Sequence, residues 1–354
     1  MGPDPDPAPP AAVFGETVEV RLTSVRVRVV APGGLPLTGL GGEDFRLRVG
    51  GAVVPIRGVD EWAADSPGPT VDPFAAGGPP PAPPPPGPAA DPPLVVLFVQ
   101  ADLEPTRARG HLHLLAILDG LLAALPREVP VAVVSFDSHL KLWSDLTLDR
   151  EAAEEAAARA VGFGGEPPPF RRRDRRPDPS LAARFDFHAA LQAAGNARAL
   201  ELVAEALEPL PGEKVLLYFG FGVGRLSLTG GPGAEYDRAL AALKRAGIGV
   251  FVLDVTEADF HTLELALKDV VDETGGTYLR ARDTSKETLA RLATVATSYY
   301  QLHVDPRDLP RRPGRVDVDL VGGRGRVLVP RGVSLGRGDA TPRVEGPGAG
   351  GGSR

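Results

Sequence analysis

No cysteine occurs anywhere in this chain. That absence excludes disulfides, thiolate metal sites and a cysteine nucleophile, and it fits either side of a bacterial inner membrane. Long apolar runs are missing too: nothing approaches the roughly 18 uninterrupted apolar residues of a membrane span. The opening residues MGPDPDPAPPAA have neither a basic nor an apolar region, so no export signal is read there. Asp6 stands where a myristoylation motif needs serine or threonine. Cations are the minority, 39 Lys and Arg against 46 Asp and Glu. The resulting net charge of -7 argues against general binding to nucleic acid or anionic membranes.

What is present is a globular chain with proline- and glycine-rich punctuation. An apolar fraction of 43% suffices for a core, and 354 residues predict two domains or one domain with an accessory module. The 43 glycines and 38 prolines concentrate in the tails and one linker. Val18, Val20 and Leu22 alternate with Glu19 and Arg21, and then Val25, Val27 and Val29 with Arg26 and Arg28. That is the period of strands with one face in water. Pro32-Gly33-Gly34 marks a turn, and Gly50-Gly51 joins the runs 46–49 and 52–56 as a hairpin. Residues 13–62 form a β segment that buries little alone and needs a partner surface. Residues 63–93, containing PPPAPPPPGP, read as a polyproline spacer in preference to an SH3-type ligand.

From Leu94 the pattern changes to alternating strands and helices. Strands are predicted at 94–100, 131–136, 215–219, 249–254 and 276–280. An amphipathic helix is predicted over 105–125, with others near 150–160, 196–208, 235–246, 261–273 and 285–297. Gly275-Gly276 stop the helix carrying Leu263, Leu267, Val270 and Val271. This alternation indicates a mainly parallel sheet covered by helices on both faces. Residues 162–184, with the basic run Arg171–Arg176, interrupt it as a surface loop. β structure returns at 299–304, 315–321 and 326–329, before a glycine-rich tail over 336–354 that, like residues 1–12, is expected to be disordered. The two β segments, 13–62 and 298–335, flank an α/β domain at 94–297 and are expected to pack together as one sandwich.

Several segments recur in an order that resembles a known family. They are Val18–Val30, Gly39-Leu40 with Asp44-Phe45, Val133 with Ser135-Phe136-Asp137, Thr274-Gly275-Gly276, and Ser298-Tyr299-Tyr300-Gln301-Leu302. The order is similar to that of the von Willebrand factor A-related proteins of Acidobacteria and relatives, over roughly Glu16 to Val333. The resemblance implies a Rossmann-like three-layer core with a small β-sandwich from flanking strands. It also implies protein or peptide partners, a periplasmic or extracellular setting, and often a metal-ion-dependent adhesion site.

At that site the match fails. The family's first loop reads Asp-x-Ser-x-Ser after the first strand, and its aspartate position here is Gln100. A shifted reading, Asp102-Leu103-Glu104-Pro105-Thr106, keeps one carboxylate and one hydroxyl. The second loop normally supplies a threonine, and Arg184-Phe185-Asp186-Phe187-His188 has none. The third normally carries Thr-Asp-Gly but reads Gly220-Phe221-Gly222. Mg²⁺ needs near-octahedral oxygen ligation with carboxylate charge. The expectation is therefore a degenerate, metal-free site, with Asp102, Thr106 and Asp186 as the residues left to improvise one.

Other constellations have plainer readings. Ser135, Asp137 and His139 tempt a hydrolase assignment, but neighbours on a strand point to opposite faces and no Gly-x-Ser-x-Gly elbow exists, so strand end and turn is preferred. Gly220 to Arg225 lacks the Lys-Ser/Thr of a phosphate loop, so close backbone packing or a partner-facing loop is preferred. His111 and His113 cannot face one metal, and a solvated histidine beside core Leu112 is expected. The arginine run reads as a solvated loop and Asp259 as a helix cap, while Asp254 ends a strand. The function expected is a non-enzymatic module without a cofactor that binds a protein or peptide. Its rim comprises Gln100, Asp102, Glu104, Arg107, His188, Phe221 and Arg225. The alternatives are a metal- or nucleotide-dependent enzyme or sensor on the same rim, and a purely structural envelope module.

Overall fold

The computed structural model describes residues 22–63, 91–102, 104–162, 164–168, 177–224, 233–258, 261–337 and 343–344. Val18, Val20, the spacer over 64–90, the arginine run 171–176, Arg225 and Asp259 lie outside them, as do residues 1–12 and the side chain of Thr106.

Four strands come first, β1 (Thr23–Val30), β2 (Phe45–Val49), β3 (Ala52–Val54) and β4 (Gly58–Trp62). Gly50 and Gly51 join β2 to β3 with φ of 59° and 85°, a left-handed turn that glycine makes without strain. The α/β part follows as β5 (Leu94–Gln100), α1 (Pro105–Ala124), β6 (Val131–Phe136), β7 (Leu140–Thr147), α2 (Arg150–Val161), α3 (Phe187–Leu191) and α4 (Asn196–Leu207). It continues with β8 (Lys214–Gly220), α5 (Ala234–Arg245), β9 (Ile248–Asp254), α6 (Glu264–Thr274), β10 (Tyr278–Arg280) and α7 (Lys286–Thr297). The chain then returns to strands, β11 (Tyr299–Val304), β12 (Gly314–Leu320), β13 (Arg326–Leu328), β14 (Val333–Leu335) and β15 (Arg343–Val344).

The central sheet has the order β10-β9-β8-β5-β6-β7, parallel except for β7. Every residue of β5, β6, β8 and β9 is buried, as their unbroken apolar runs require. Alternate residues feed two cores. Val96, Phe98 and Leu216 meet α4, α5 and α6 through Val203, Leu243 and Leu267. Val95, Leu97 and Leu217 meet α1, α2 and α7 through Leu118, Ala157 and Leu289. Each fully buried Val, Leu or Phe side chain contributes about 1.5–3 kcal/mol relative to exposure. Asp149 caps α2 by accepting from the Ala152 amide at 3.1 Å, and Gly275 ends α6 at φ 72°.

The flanking strands form two antiparallel sheets, β13-β1-β11-β4 and β15-β14-β12-β2-β3, each drawing on both sides of the α/β part. Val25, Val27, Leu47, Leu302 and Val316 share their core, and Phe45 meets Tyr300 edge-on at 5.3 Å. The result is a Rossmann-like, von Willebrand A-like core with an accessory β-sandwich. In the second sheet, β15 pairs with β14 inside the stretch expected to be a disordered tail.

Three expectations are corrected. The polar face of β1 is only partly in water: Arg26 is partly exposed, but Arg28 is 4% exposed, donates to Glu213 at 2.6 Å and to the Ala296 carbonyl at 3.1 Å, and lies over the Phe251 ring. The sandwich covers that face with the α/β core. Helix α1 is not amphipathic in the simple sense, since Leu112 is 63% exposed and Leu115 37% exposed while Leu114, Leu118 and Leu121 are buried. His111, expected in solvent, is wholly buried. The strand β7 was not anticipated, because its alternation is interrupted by register irregularities opposite Val133.

Candidate functional site at the carboxyl end of the sheet

Strands β5 and β8 run side by side and end at Gln100 and Gly220, so the residues after them face the same edge. In open α/β sheets this edge is where ligands lie. Gln100 is 6% exposed, and its side-chain oxygen accepts the Phe221 and Gly222 amides at 3.0 and 3.2 Å. The Tyr218 hydroxyl lies 2.6 Å from the same oxygen and 2.5 Å from the Gly222 carbonyl, with one proton to serve either. Asn196, at the start of α4, completes the network. Its amide nitrogen donates to the Tyr218 hydroxyl at 3.2 Å and to the Gly222 carbonyl, and its oxygen accepts the Gly224 amide at 3.1 Å. Burial keeps the Tyr218 phenol protonated far above its ordinary range.

This network leaves no slack around the glycines. A Cβ on Gly220 would stand 2.7 Å from the Gln100 side-chain oxygen, and one on Gly222 would stand 2.5 Å from Leu263. The donor set consists of an amide oxygen already accepting two main-chain amides and sharing the Tyr218 proton with the Gly222 carbonyl, a phenol and main chain, without a carboxylate. It does not fit Mg²⁺, which requires ligand charge and several free oxygens.

The carboxylates nearby are engaged elsewhere. Asp102 accepts the Glu104 amide at 3.0 Å and pairs with Arg107. Burial pushes its carboxyl up, but the Glu104 amide and Arg107 outweigh this and hold it below the usual carboxylate range. Asp186 caps α3, accepting the Ala189 amide at 2.9 Å. Among the described residues, no three of His, Asp and Glu gather as a metal site would require.

Above the neutral network lies an exposed layer. Phe221 is half-buried against the α1–α7 side of the core, and the Arg107 guanidinium sits 3.8 Å from its ring centroid. The phenylalanine is thus neither a full plug nor a free anchor. Glu104 and His188 are exposed, and His188 Nε2 lies 3.4 Å from the Gln192 amide nitrogen. Gln100 must be removed from the expected contact surface, because it is buried beneath it.

His111 lies wholly buried on α1. Its burial lowers the imidazole to about 4, against the opposing pull of the Gln100 main chain and Asp102. At the neighbouring edge, Ser135 is held by Trp143 Nε1 at 2.7 Å and does not meet His139. His139 instead lies 3.1 Å from Ser138 Oγ and 3.2 Å from Glu166, in a turn anchored by Lys141 to Asp137 at 2.7 Å and Glu166 at 2.8 Å.

One cluster escaped sequence reasoning. Asp254, 1% exposed at the end of β9, accepts the Thr256 amide at 2.9 Å, the Tyr278 hydroxyl at 2.7 Å, and lies 2.6 Å from His261 Nε2. Burial raises its carboxyl, but His261, Tyr278 and the Thr256 amide together hold it below its ordinary value. The available signal was an aspartate closing an otherwise apolar strand.

No protein-family model matches the chain, and no curated protein does. Solved structures with a related chain path include a von Willebrand factor type A protein from Catenulispora acidiphila. It is 13% identical, with a TM-score of 0.40, over 68% of this chain and 65% of that one. Another is the conserved hypothetical protein BatB from Bacteroides thetaiotaomicron, 12% identical with a TM-score of 0.38, over 57% of this chain and 96% of that one. A third is the PilB minor pilin from Streptococcus sanguinis, 13% identical with a TM-score of 0.35, over 58% and 60%. The description of the fold rests on the strand order above and not on these likenesses.

Proposed function

We propose that this chain is a non-enzymatic module that binds a protein or peptide through the carboxyl-edge rim of its α/β domain, without a metal ion. The observation that supports this reading is Phe221 clamped by Arg107 above the neutral Gln100–Tyr218–Asn196 network. Aromatic and arginine side chains dominate interface energetics, and those already held in place lose little freedom on binding. The contact surface in this reading is Asp102, Glu104, Arg107, His188 and Phe221, joined by Arg225 from its place in the sequence. Residues 94–297 form the binding domain, 13–62 and 298–335 its accessory sandwich, and the setting is periplasmic or extracellular.

Affinity capture from an envelope extract of the native organism tests it, comparing wild type with Arg107→Ala, Phe221→Ala and the double variant. The expected result is one captured protein lost from both single variants while the melting temperature stays high enough for a folded domain. Retention of every captured protein by a folded double variant moves the binding face elsewhere. Millimolar Mg²⁺ or Mn²⁺ should leave the melting temperature unchanged, whereas a ligand at about 100 times its dissociation constant adds roughly 2.7 kcal/mol. A cation-dependent shift that Asp102→Ala abolishes overturns metal independence.

A further inference from the structure

The opposite end of the central sheet carries a concavity of about 780 Å³, where β5, β6 and β8 begin. Its lining is mostly apolar, with Leu94, Pro130, Leu146 and Pro179 among the residues that form it. Among the described residues that line it, the five charged ones, Asp91, Glu128, Asp145, Asp149 and Asp178, are all acidic. Two of them are committed to the fold. Asp145 accepts the Leu181 and Ala182 amides at 2.7 and 3.0 Å and the Ser180 hydroxyl at 2.6 Å. Asp149 caps α2. The side chains of Asp91, Glu128 and Asp178 are exposed, and Glu128 feels the charge of Arg150, whose guanidinium donates to the Pro126 and Val129 carbonyls. The groove therefore combines an apolar floor with a margin whose charged side chains, among the described lining residues, are all acidic.

We propose that this groove docks an extended basic peptide segment of a partner protein, independently of the carboxyl-edge rim. Arginine and lysine suit both halves of the surface. Their hydrocarbon stems lie on apolar floor while their charged heads stay at the wet margin beside the carboxylates. Complementary charge of this kind speeds encounter and suppresses acidic competitors. A neutral apolar segment would partly desolvate these carboxylates without answering them, and an acidic one would be repelled.

The test uses the full chain and a fluorescent synthetic peptide alternating arginine with leucine and proline, read by fluorescence anisotropy. A matched peptide with glutamine for arginine is the first control. Saturable binding of the basic peptide is expected, weaker by about tenfold or more for Asp91→Asn/Glu128→Gln/Asp178→Asn, given the usual contribution of exposed ion pairs. Affinity for wild type should fall as salt rises from about 0.05 to about 0.5 M, and the triple variant should flatten that dependence. Glu154→Gln/Glu235→Gln/Asp283→Asn, which changes net charge equally at other sites, and Phe221→Ala at the rim should both leave binding unchanged. Equal binding by the two peptides, equal loss in the charge-matched control, or an unaffected triple variant with an unchanged melting temperature overturns the proposal. So does binding that emerges only after the arginines of 171–176 are replaced by serine, which would give the groove to this chain's own basic run.

Discussion

At the carboxyl end of the central sheet the carboxylates are answered: Asp102 by Arg107, Asp137 by Lys141, Asp254 by Tyr278 and His261. At the amino end, Asp91, Glu128 and Asp178 stand exposed around an apolar groove, with only Glu128 feeling a recorded cation, Arg150. The end at which α/β sheets ordinarily recognise ligands has here turned its polar groups inward, toward holding its own loops. If the proposed rim docks a partner, recognition there would come from shape and from the Phe221–Arg107 pair, and should respond weakly to salt. Recognition at the amino end would come from charge and should respond strongly. On these two proposals, one fold would separate two modes of contact that a metal-bearing rim would combine.

The largest effect tests whether the amino end is loosely built as a whole. It is not, in our reading, because Glu213 at the start of β8 is buried and answers Arg28 and Arg26 of β1. Removing one partner of a buried pair leaves an uncompensated charge, so Glu213→Ala should lose about 3–5 kcal/mol in urea unfolding. A loss under 1 kcal/mol would mean that the sandwich and the α/β core are weakly coupled at that point.

Next in size is a pH effect confined to the carboxyl end. His111 is held near 4 by burial, well below its unfolded value of about 6.5. Between those values the unfolded chain binds the extra proton, so stability is retained above about 6.5 and lost as pH falls toward 4. The loss is on the order of 3 kcal/mol. Asp254, whose carboxyl is depressed, contributes stability that disappears only at lower pH, so the two separate. Urea midpoints at several pH values check this, and a His111→Asn variant with the same pH slope as wild type would remove His111 as the source.

Gln100→Ala sharpens the comparison further. It deprives the Phe221 and Gly222 amides of an acceptor and leaves the Tyr218 hydroxyl only the Gly222 carbonyl, with an expected cost of about 2–3 kcal/mol. At the other end, Asp91→Asn/Glu128→Gln/Asp178→Asn should change stability by less than about 0.5 kcal/mol, since these groups hold nothing in place. If the two variants proved equally destabilising, the contrast between a committed end and an uncommitted one would fail.

The sheet interior was legible because its chemistry is local. Residues 94–100 and 131–136 are continuous apolar runs preceded by proline, and the strands occupy those residues. Helix α1 was less so: leucines at 112, 114, 115 and 118 place apolar groups on every side, so periodicity gave no direction and His111 was turned outward. The loss of aspartate at Gln100 and Phe221 could be read directly. What replaced it could not, since the hydroxyl that meets Gln100 lies 118 residues away in sequence and the amide of Asn196 belongs to a different helix. That Phe221 follows β8 is plain from the sequence, but only three-dimensional packing sets Arg107 over its ring.

Trp62, the last residue of β4, pairs with Tyr299, the first of β11. Residues 63–298 therefore leave the sandwich and return to it on the same rung of one antiparallel ladder. Mechanically this makes the α/β domain a side branch. Tension applied between Thr23 and Val304 meets the β1–β11 ladder at paired ends, and must open it and then the β4–β11 ladder rung by rung before it reaches the central sheet. A partner held at either end of that sheet would stay in an undeformed site while the flanking strands bear the load.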